Sequence, residues 1–275
     1  QEAKRYIKDK FNGIEPTFQK IAFKGVYPLY GQLDIKGSSK ARNLATQKDL
    51  LLQLNAIKTL VLKAQEQRDL PIYNQYIFQI ESYIQDLNTN FQVDTEQQII
   101  SFVKEEIEPV LKHVVESNSL KQEVDKYFEL VDHNTRAVYY YRKEYDDTIA
   151  LVNKEMSSLL DHKQEEAQAM YPHFFERYKT DGVEHNMYIG ESITKEDSFS
   201  PVYLYNLRLW QLQVMIEMEN AYYLMRQKLP VNLDVASMIL AFNQPLTISF
   251  RMDEKQFDVD GTYNARYEIV KKRVD

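Results

Sequence analysis

The distribution of glycine constrains this chain more than any other feature. Seven glycines occur in 275 residues, well below the ordinary usage of about 7%. Four lie within the first 37 residues, three lie after residue 181, and none falls between Gly37 and Gly182. Tight hairpins lean on glycine, so the long gap argues against a β-rich region there. It also excludes a glycine-rich phosphate loop from that stretch. Abundant Gln, Glu, Lys and Leu favour helix instead. The sequence therefore predicts a mainly α chain, α+β overall. A loop-rich opening segment (1–38) leads to a helical bundle (39–170), and a mixed part (171–275) carries a small antiparallel β element.

Apolar spacing places the elements. Leu44, Leu51, Leu54, Val61 and Ala64 predict a helix over about 39–67 with Ser38 or Ser39 as N-cap, broken at Asp69-Leu70-Pro71. Ile72, Tyr76, Ile80, Tyr83, Ile84 and Leu87 predict a second, ended by Asn88-Thr89-Asn90. Asp94 or Thr95 caps a third, which Pro109 should kink or split and Ser117-Asn118-Ser119 should stop. Leu120, Val124, Tyr127, Val131, Asn134, Val138, Tyr141 and Tyr145 alternate steps of four and three, and the pattern resumes at Ile149, Val152, Met156 and Leu159. That is a near-heptad seam, read either as a long helix inside an intrachain bundle or as an intermolecular coiled coil that makes a homodimer.

Beyond Tyr171-Pro172, residues 178–190 read as turn, short strand, turn. Ser200-Pro201 opens a helix to about 228. Leu204, Leu207, Trp210, Val214, Met218, Ala221 and Leu224 line one face, which Leu209, Leu212, Met215 and Ile216 widen, so the helix is expected to be central and buried. Strands are predicted at 237–242 and 246–250, a turn at Asp260-Gly261-Thr262 and a last helix at 263–275.

The totals exclude several functions. The absence of cysteine removes disulfides, thiolate metal sites and cysteine nucleophiles. A net charge of −7 disfavours nucleic acid and anionic membrane surfaces as partners. The longest apolar run, Met238 to Phe242, is far too short to span a bilayer, and Gln1-Glu2-Ala3-Lys4-Arg5 does not begin a signal peptide. Lacking an initial Met and stopping within a basic run at 271–275, the chain reads as a segment of a longer protein, with the neighbouring domains as partners.

No catalytic constellation assembles from the sequence. The residues three before the five histidines are Val110, Leu130, Leu159, Met170 and Gly182, so Glu-x-x-His di-iron motifs are missing, as are zinc helices and a Gly-x-Ser-x-Gly elbow. No catalytic residue, metal ligand or cofactor is assigned. Gly37-Ser38-Ser39 at a helix start, with Arg42 and Asn43 one turn in, reads as a plain N-cap or as a weak anion site. Arg251, Asp260 and Arg266 stand in a mixed-charge region that is either a salt-bridged surface or a ligand pocket. With Tyr30 and Asp34 these form the candidate set for a small anionic ligand: Tyr30, Asp34, Ser38, Arg42, Asn43, Arg251, Asp260 and Arg266. Any site is expected where the two glycine-bearing ends of the chain meet.

Three phrases carry a resemblance. They are Tyr27-Pro28-Leu29-Tyr30-Gly31-Gln32-Leu33-Asp34-Ile35 with Ser38-Ser39 and Arg42-Asn43; Tyr178-Lys179-Thr180-Asp181-Gly182-Val183-Glu184; and Phe250-Arg251-Met252-Asp253-Glu254-Lys255, Phe257-Asp258-Val259-Asp260-Gly261 with Arg266-Tyr267-Glu268. Together they resemble long bacterial proteins described as GAF-domain-containing, over residues 27–268. The resemblance implies cytoplasmic signalling and an α+β small-molecule sensor. Residues 39–170, read as helix throughout, depart from a sheet-built GAF domain. The Asn-Lys…Phe-Asp-Glu signature of its cyclic-nucleotide binders is unmatched, with Asn153-Lys154 alone on a predicted helix. No ligand residues are carried over, and the segment is expected beside the GAF domain rather than within it. The functional expectation is a non-enzymatic sensory or interaction module of a bacterial signalling protein, its bundle serving dimerisation or signal transmission. The alternative is a domain that binds or transforms a small anionic ligand with residues 27–43 and 251–266.

Overall fold

The computed structural model describes residues 8–13, 21–89, 91, 93–116, 120–193, 199–251 and 256–260. The chain divides into two compact units. A helical unit comprises Gly37–Ile149, and a sheet unit joins Gln1–Lys36 to Ala150–Asp275.

The helical unit contains α1 (Ser38–Gln67), α2 (Pro71–Thr89), α3 (Val93–Phe102), α4 (Glu108–Glu116), α5 (Lys121–Leu130) and the first residues of α6 (Tyr141–Met170). The N-cap of α1 is Gly37, left-handed at φ 62°, rather than Ser38 or Ser39; Ser38 lies inside the helix and is buried, and no side chain caps this end. Leu50, Leu54, Ile57, Val61 and Ala64 put one face of α1 into a continuous apolar core with Tyr76 and Ile80 of α2, Phe102 of α3, Leu111 of α4 and Tyr127 of α5. Pro109 has the effect its chemistry requires. It has no N–H for the Glu105 carbonyl and its ring crowds that group. The backbone widens into a π-turn over Val103–Ile107, where the Glu108 N–H reaches the Val103 carbonyl.

The near-heptad seam is not one helix. Residues 131–140 separate α5 from α6. Asp132 accepts through Oδ1 from the backbone N–H groups of Asn134 (3.0 Å) and Thr135 (2.9 Å), an Asx-type turn that competes with helix. Arg136 then takes φ 59°, and Val131 bridges antiparallel to Val138. Seam positions Val131, Asn134 and Val138 therefore belong to a folded connection.

The sheet unit is built on β1 (Ile21–Lys36), a 16-residue strand where a loop-rich opening was expected. The other strands are β2 (Phe174–Thr180), β3 (Gly182–Ile189), β4 (Asp234–Ala241), β5 (Leu246–Arg251) and β6 (Gln256–Asp260). All pairings are antiparallel, in the order β2-β3-β1-β5-β6, with β4 also on β1. One edge of β1 takes β3. The other takes β5 along residues 21–26 and β4 along residues 29–36. Pro28 sits at the step between those two partners, where that edge asks for no N–H. Gly25, at φ 69°, supplies the bulge that shifts register between Phe23 and Val26. The turn, strand, turn expected at 178–190 is the β2–β3 hairpin, and Asp260 ends β6, the rest of the turn expected at 260–262 lying outside the described residues. Residues 117–119 and 261–275, including Arg266 and the expected last helix, lie outside the described residues.

Cross-strand partners share a face. Leu29, Gly31 and Leu33 of β1 stand opposite Met187, His185 and Val183 of β3, and this face is packed by helix. The second half of α6 reaches it through the Asp161–Arg177 ion pair at 2.9 Å. The helix α7 (Pro201–Met225), capped by Ser200, reaches it through Gln211, whose Nε2 lies 3.1 Å from Nε2 of His185. A Cβ at Gly31 would collide with the His185 ring, so the missing side chain is the slot that holds the imidazole. Leu204, Leu207, Val214, Met215 and Met218 of α7 are buried. Leu209, Leu212, Ile216 and Leu224, expected to be buried with them, are exposed.

Candidate functional site

The helical unit holds a cleft of about 420 Å³, within the range of small-molecule sites, roughly 300–1,000 Å³. Three parts of the unit line it. Arg42, Thr46, Asp49 and Leu50 come from successive turns of one face of α1. Asp132, Asn134, Thr135, Ala137, Val138 and Tyr139 come from the connection before α6, and Arg142 and Asp146 from the first turns of α6. Glu96 of α3 adds a carboxylate.

Two buried side chains of α1 hold this wall together. Asp49 accepts from the backbone N–H groups of Tyr140 (3.1 Å) and Tyr141 (2.9 Å) through Oδ1 and of Arg142 (2.8 Å) through Oδ2. It caps α6 from ninety residues away in sequence, placing a negative charge at the positive end of that helix. Gln53, one turn on, donates to the Tyr127 hydroxyl (3.1 Å) and the Arg136 carbonyl (3.3 Å) and accepts from the Val138 N–H (3.3 Å). The connection's backbone groups are satisfied by side chains of another helix, which fixes the cleft in place.

Most of the charge in the cleft is already engaged. Arg142 reaches Thr46 Oγ1 at 3.2 Å and pairs with Asp146 at 3.2 Å. The Tyr139 hydroxyl donates to Asp146 at 2.6 Å, and that bond, ahead of burial, pushes its pKa up to about 12. Asp49 and Asp132 serve backbone N–H groups. Arg42 and Glu96 are left: both line the cavity, and neither has an ion pair among the described residues.

The expected site residues that are described are divided between the two units. Arg42 lines the cleft; Ser38 and Asn43, on the same turns of α1, do not. Tyr30 and Asp34 lie on β1 in the sheet unit, on the face opposite His185, with Glu184, Asn186 and Tyr188 of β3 and Glu176 and Tyr178 of β2. Burial, then Glu184, raises the Tyr30 hydroxyl pKa. Burial also raises the Glu176 carboxyl, against hydrogen bonds from Tyr178 and Asn186. Three carboxylates make this face a poor host for an anion. Arg251 ends β5 and pairs with Gln256 of β6, while Asp260 pairs with Thr247. The glycine-bearing ends do meet, because β5 pairs with the first part of β1. That pairing ends at Val26, four residues or roughly 13 Å along the strand from Tyr30, while β3 sets Asn186 opposite Tyr30 and Gly182 opposite Asp34. The cleft's other residues went unnoticed in the sequence. The cluster Asp132-His133-Asn134-Thr135 was the available signal, three turn-forming residues among four within an apolar repeat.

Among the described residues no group of three or more His, Asp or Glu is placed to hold a metal ion, and no helix is long and apolar enough to cross a membrane. Compared with protein-family models, curated proteins and solved structures, the chain matches none.

Proposed function

We propose that this chain is a non-enzymatic sensory module of a bacterial cytoplasmic signalling protein and that the cleft of its helical unit receives the signal. The ligand is a small polar molecule whose acidic group is held by Arg42, with a donor or cationic group facing Glu96. The observation that carries this reading is the pair of opposite charges, Arg42 and Glu96, that line the cavity without an ion pair among the described residues, while its other charges are engaged. The preformed wall supports it: a site whose connection is held by Asp49 and Gln53 binds without ordering a loop first. The resemblance to GAF-domain-containing proteins points the same way. The departure noted in the sequence is also smaller than it looked, because the helices of 38–170 fall between the first and second strands of a six-stranded sheet. Neighbouring domains of a longer chain would take the signal onward.

The test is a thermal-shift panel of amino acids, small carboxylates and phosphorylated metabolites on the parent chain, Arg42→Ala and Glu96→Gln. A compound that raises the parent's Tm, loses its effect in Arg42→Ala and is weakened in Glu96→Gln supports the cleft. A shift that survives Arg42→Ala, or no shift across the panel, contradicts it.

A further inference from the structure

The outer face of α7 is apolar where a surface helix is ordinarily charged. Val202, Tyr205, Leu209, Leu212, Ile216 and Tyr223 are each 48–62% exposed. Their spacing follows the heptad seam of a two-stranded coiled coil, steps of three and four with Glu219 filling the one remaining seam position. The buried face of the same helix is a separate set of residues, Leu204 to Tyr222, so α7 carries two apolar faces and the sheet uses only one. Between residues 201 and 216 the single charged side chain is Arg208, which is engaged with the Phe242 carbonyl. The seam is flanked by neutral Asn206, Gln213 and Asn220. Among the described residues no element packs on this face.

We infer that the exposed seam of α7 is the contact through which two copies of this chain associate. Three observations select a second copy over other occupants. A heptad seam is self-complementary, so the same residues serve both sides of a two-fold contact. No unengaged charge along 201–216 opposes an identical surface. The exposed parts of these side chains amount to on the order of 600 Å² per copy, close to the roughly 800 Å² each partner gives to a standard interface and at the top of the range of about 300–600 Å² for the largest patch on a monomer. An antiparallel pairing fits best, since it places Glu219 near Val202 at the rim rather than against its own copy. The homodimer expected from the sequence is thereby moved from the 120–159 seam, which is interrupted, to α7.

Sedimentation velocity on the parent chain across the micromolar range is expected to show a monomer–dimer equilibrium. The Leu209→Glu/Ile216→Glu variant is expected to be monomeric, with unchanged far-UV circular dichroism because both sites are exposed. The parent's lack of cysteine allows a second test that leaves the fold intact. A short bis-maleimide should join two Leu212→Cys copies into a covalent dimer, while Thr59→Cys on the exposed side of α1 should not be joined. A parent that stays monomeric throughout, or a dimer that survives the double variant and leaves Leu212→Cys uncrosslinked, overturns the inference.

Discussion

In the helical unit, the interior from Leu54 of α1 to Tyr127 of α5 is one continuous apolar cluster, and the charged groups collect at a surface cleft. In the sheet unit, His173, His185, Gln164 and Gln211 are buried, while Leu209, Leu212 and Ile216 face outward. Away from buried Asp49 and Gln53, the first arrangement tolerates many side chains of the right size, because there packing is most of what it asks. The second depends on particular fits. The His185 ring needs the gap at Gly31. His173 needs both the Tyr171 carbonyl at 2.8 Å for its Nδ1–H and the Gln164 amide at 2.8 Å for its Nε2. A fold that mixes the two kinds of interior should respond to mutation and to pH differently in each half.

The largest single effect is expected from Leu54→Ala, which empties a fully buried site and should destabilise the helical unit by about 3–4 kcal/mol, read by urea unfolding followed in the far ultraviolet. Gly31→Ala should destabilise the sheet unit by about 2–3 kcal/mol by forcing the His185 ring aside. Pairing it with His185→Ala should give less than the sum of the two single changes. If the pair is additive, the Gly31–His185 fit is not what holds this position. Asp49→Ala leaves three backbone N–H groups at the start of α6 without their acceptor and should remove about 2 kcal/mol, with Asp49→Asn losing less. The smallest effect is expected at the surface. Lys58→Ala breaks a 2.7 Å pair with Glu81 that is largely solvated and should change stability by less than about 0.5 kcal/mol.

The helical unit was the more legible half. α1 and α2 were apparent from apolar spacing, and Pro109 from its chemistry, because each is a local instruction. The seam from 120 to 159 misled because hydrophobic period carries no information about interruption. Asp132 and Asn134 broke the helix by bonding to the backbone, a preference that a count of apolar positions passes over. In β1 the glycines and Pro28 imitated a loop. Gly25 makes a bulge, Gly31 admits a ring and Pro28 falls between two partners, so each is explained only by strands distant in sequence. The alternation of Leu29, Leu33 and Ile35 was the weak local sign. α7 shows the same limit from the other direction: with apolar residues on both faces, sequence alone could not say which face the sheet takes. Of the expected site residues that are described, Arg42 alone lines the cleft, since the partners that complete it lie 50 to 100 residues further along.

The contrast between the interiors is tested most directly by acid. Burial lowers the His185 pKa to about 4 from an ordinary value of 6.5, and lowers that of His173 as well. The unfolded chain therefore binds protons that the fold refuses. Stability is complete above pH 6.5 and falls as pH drops toward 4, by about 3 kcal/mol for His185 alone. The raised Glu176 offsets part of this, since its protonation favours the fold. The chain's single tryptophan, Trp210, lies in α7 and so reports on the sheet unit. Urea unfolding at pH 7 and pH 4, followed by Trp210 fluorescence and by far-UV circular dichroism, separates the two halves. The account predicts that the Trp210 midpoint falls steeply with acid, and that His185→Gln flattens that fall. A Trp210 midpoint that does not move, or one that moves equally with His185 replaced, would contradict it.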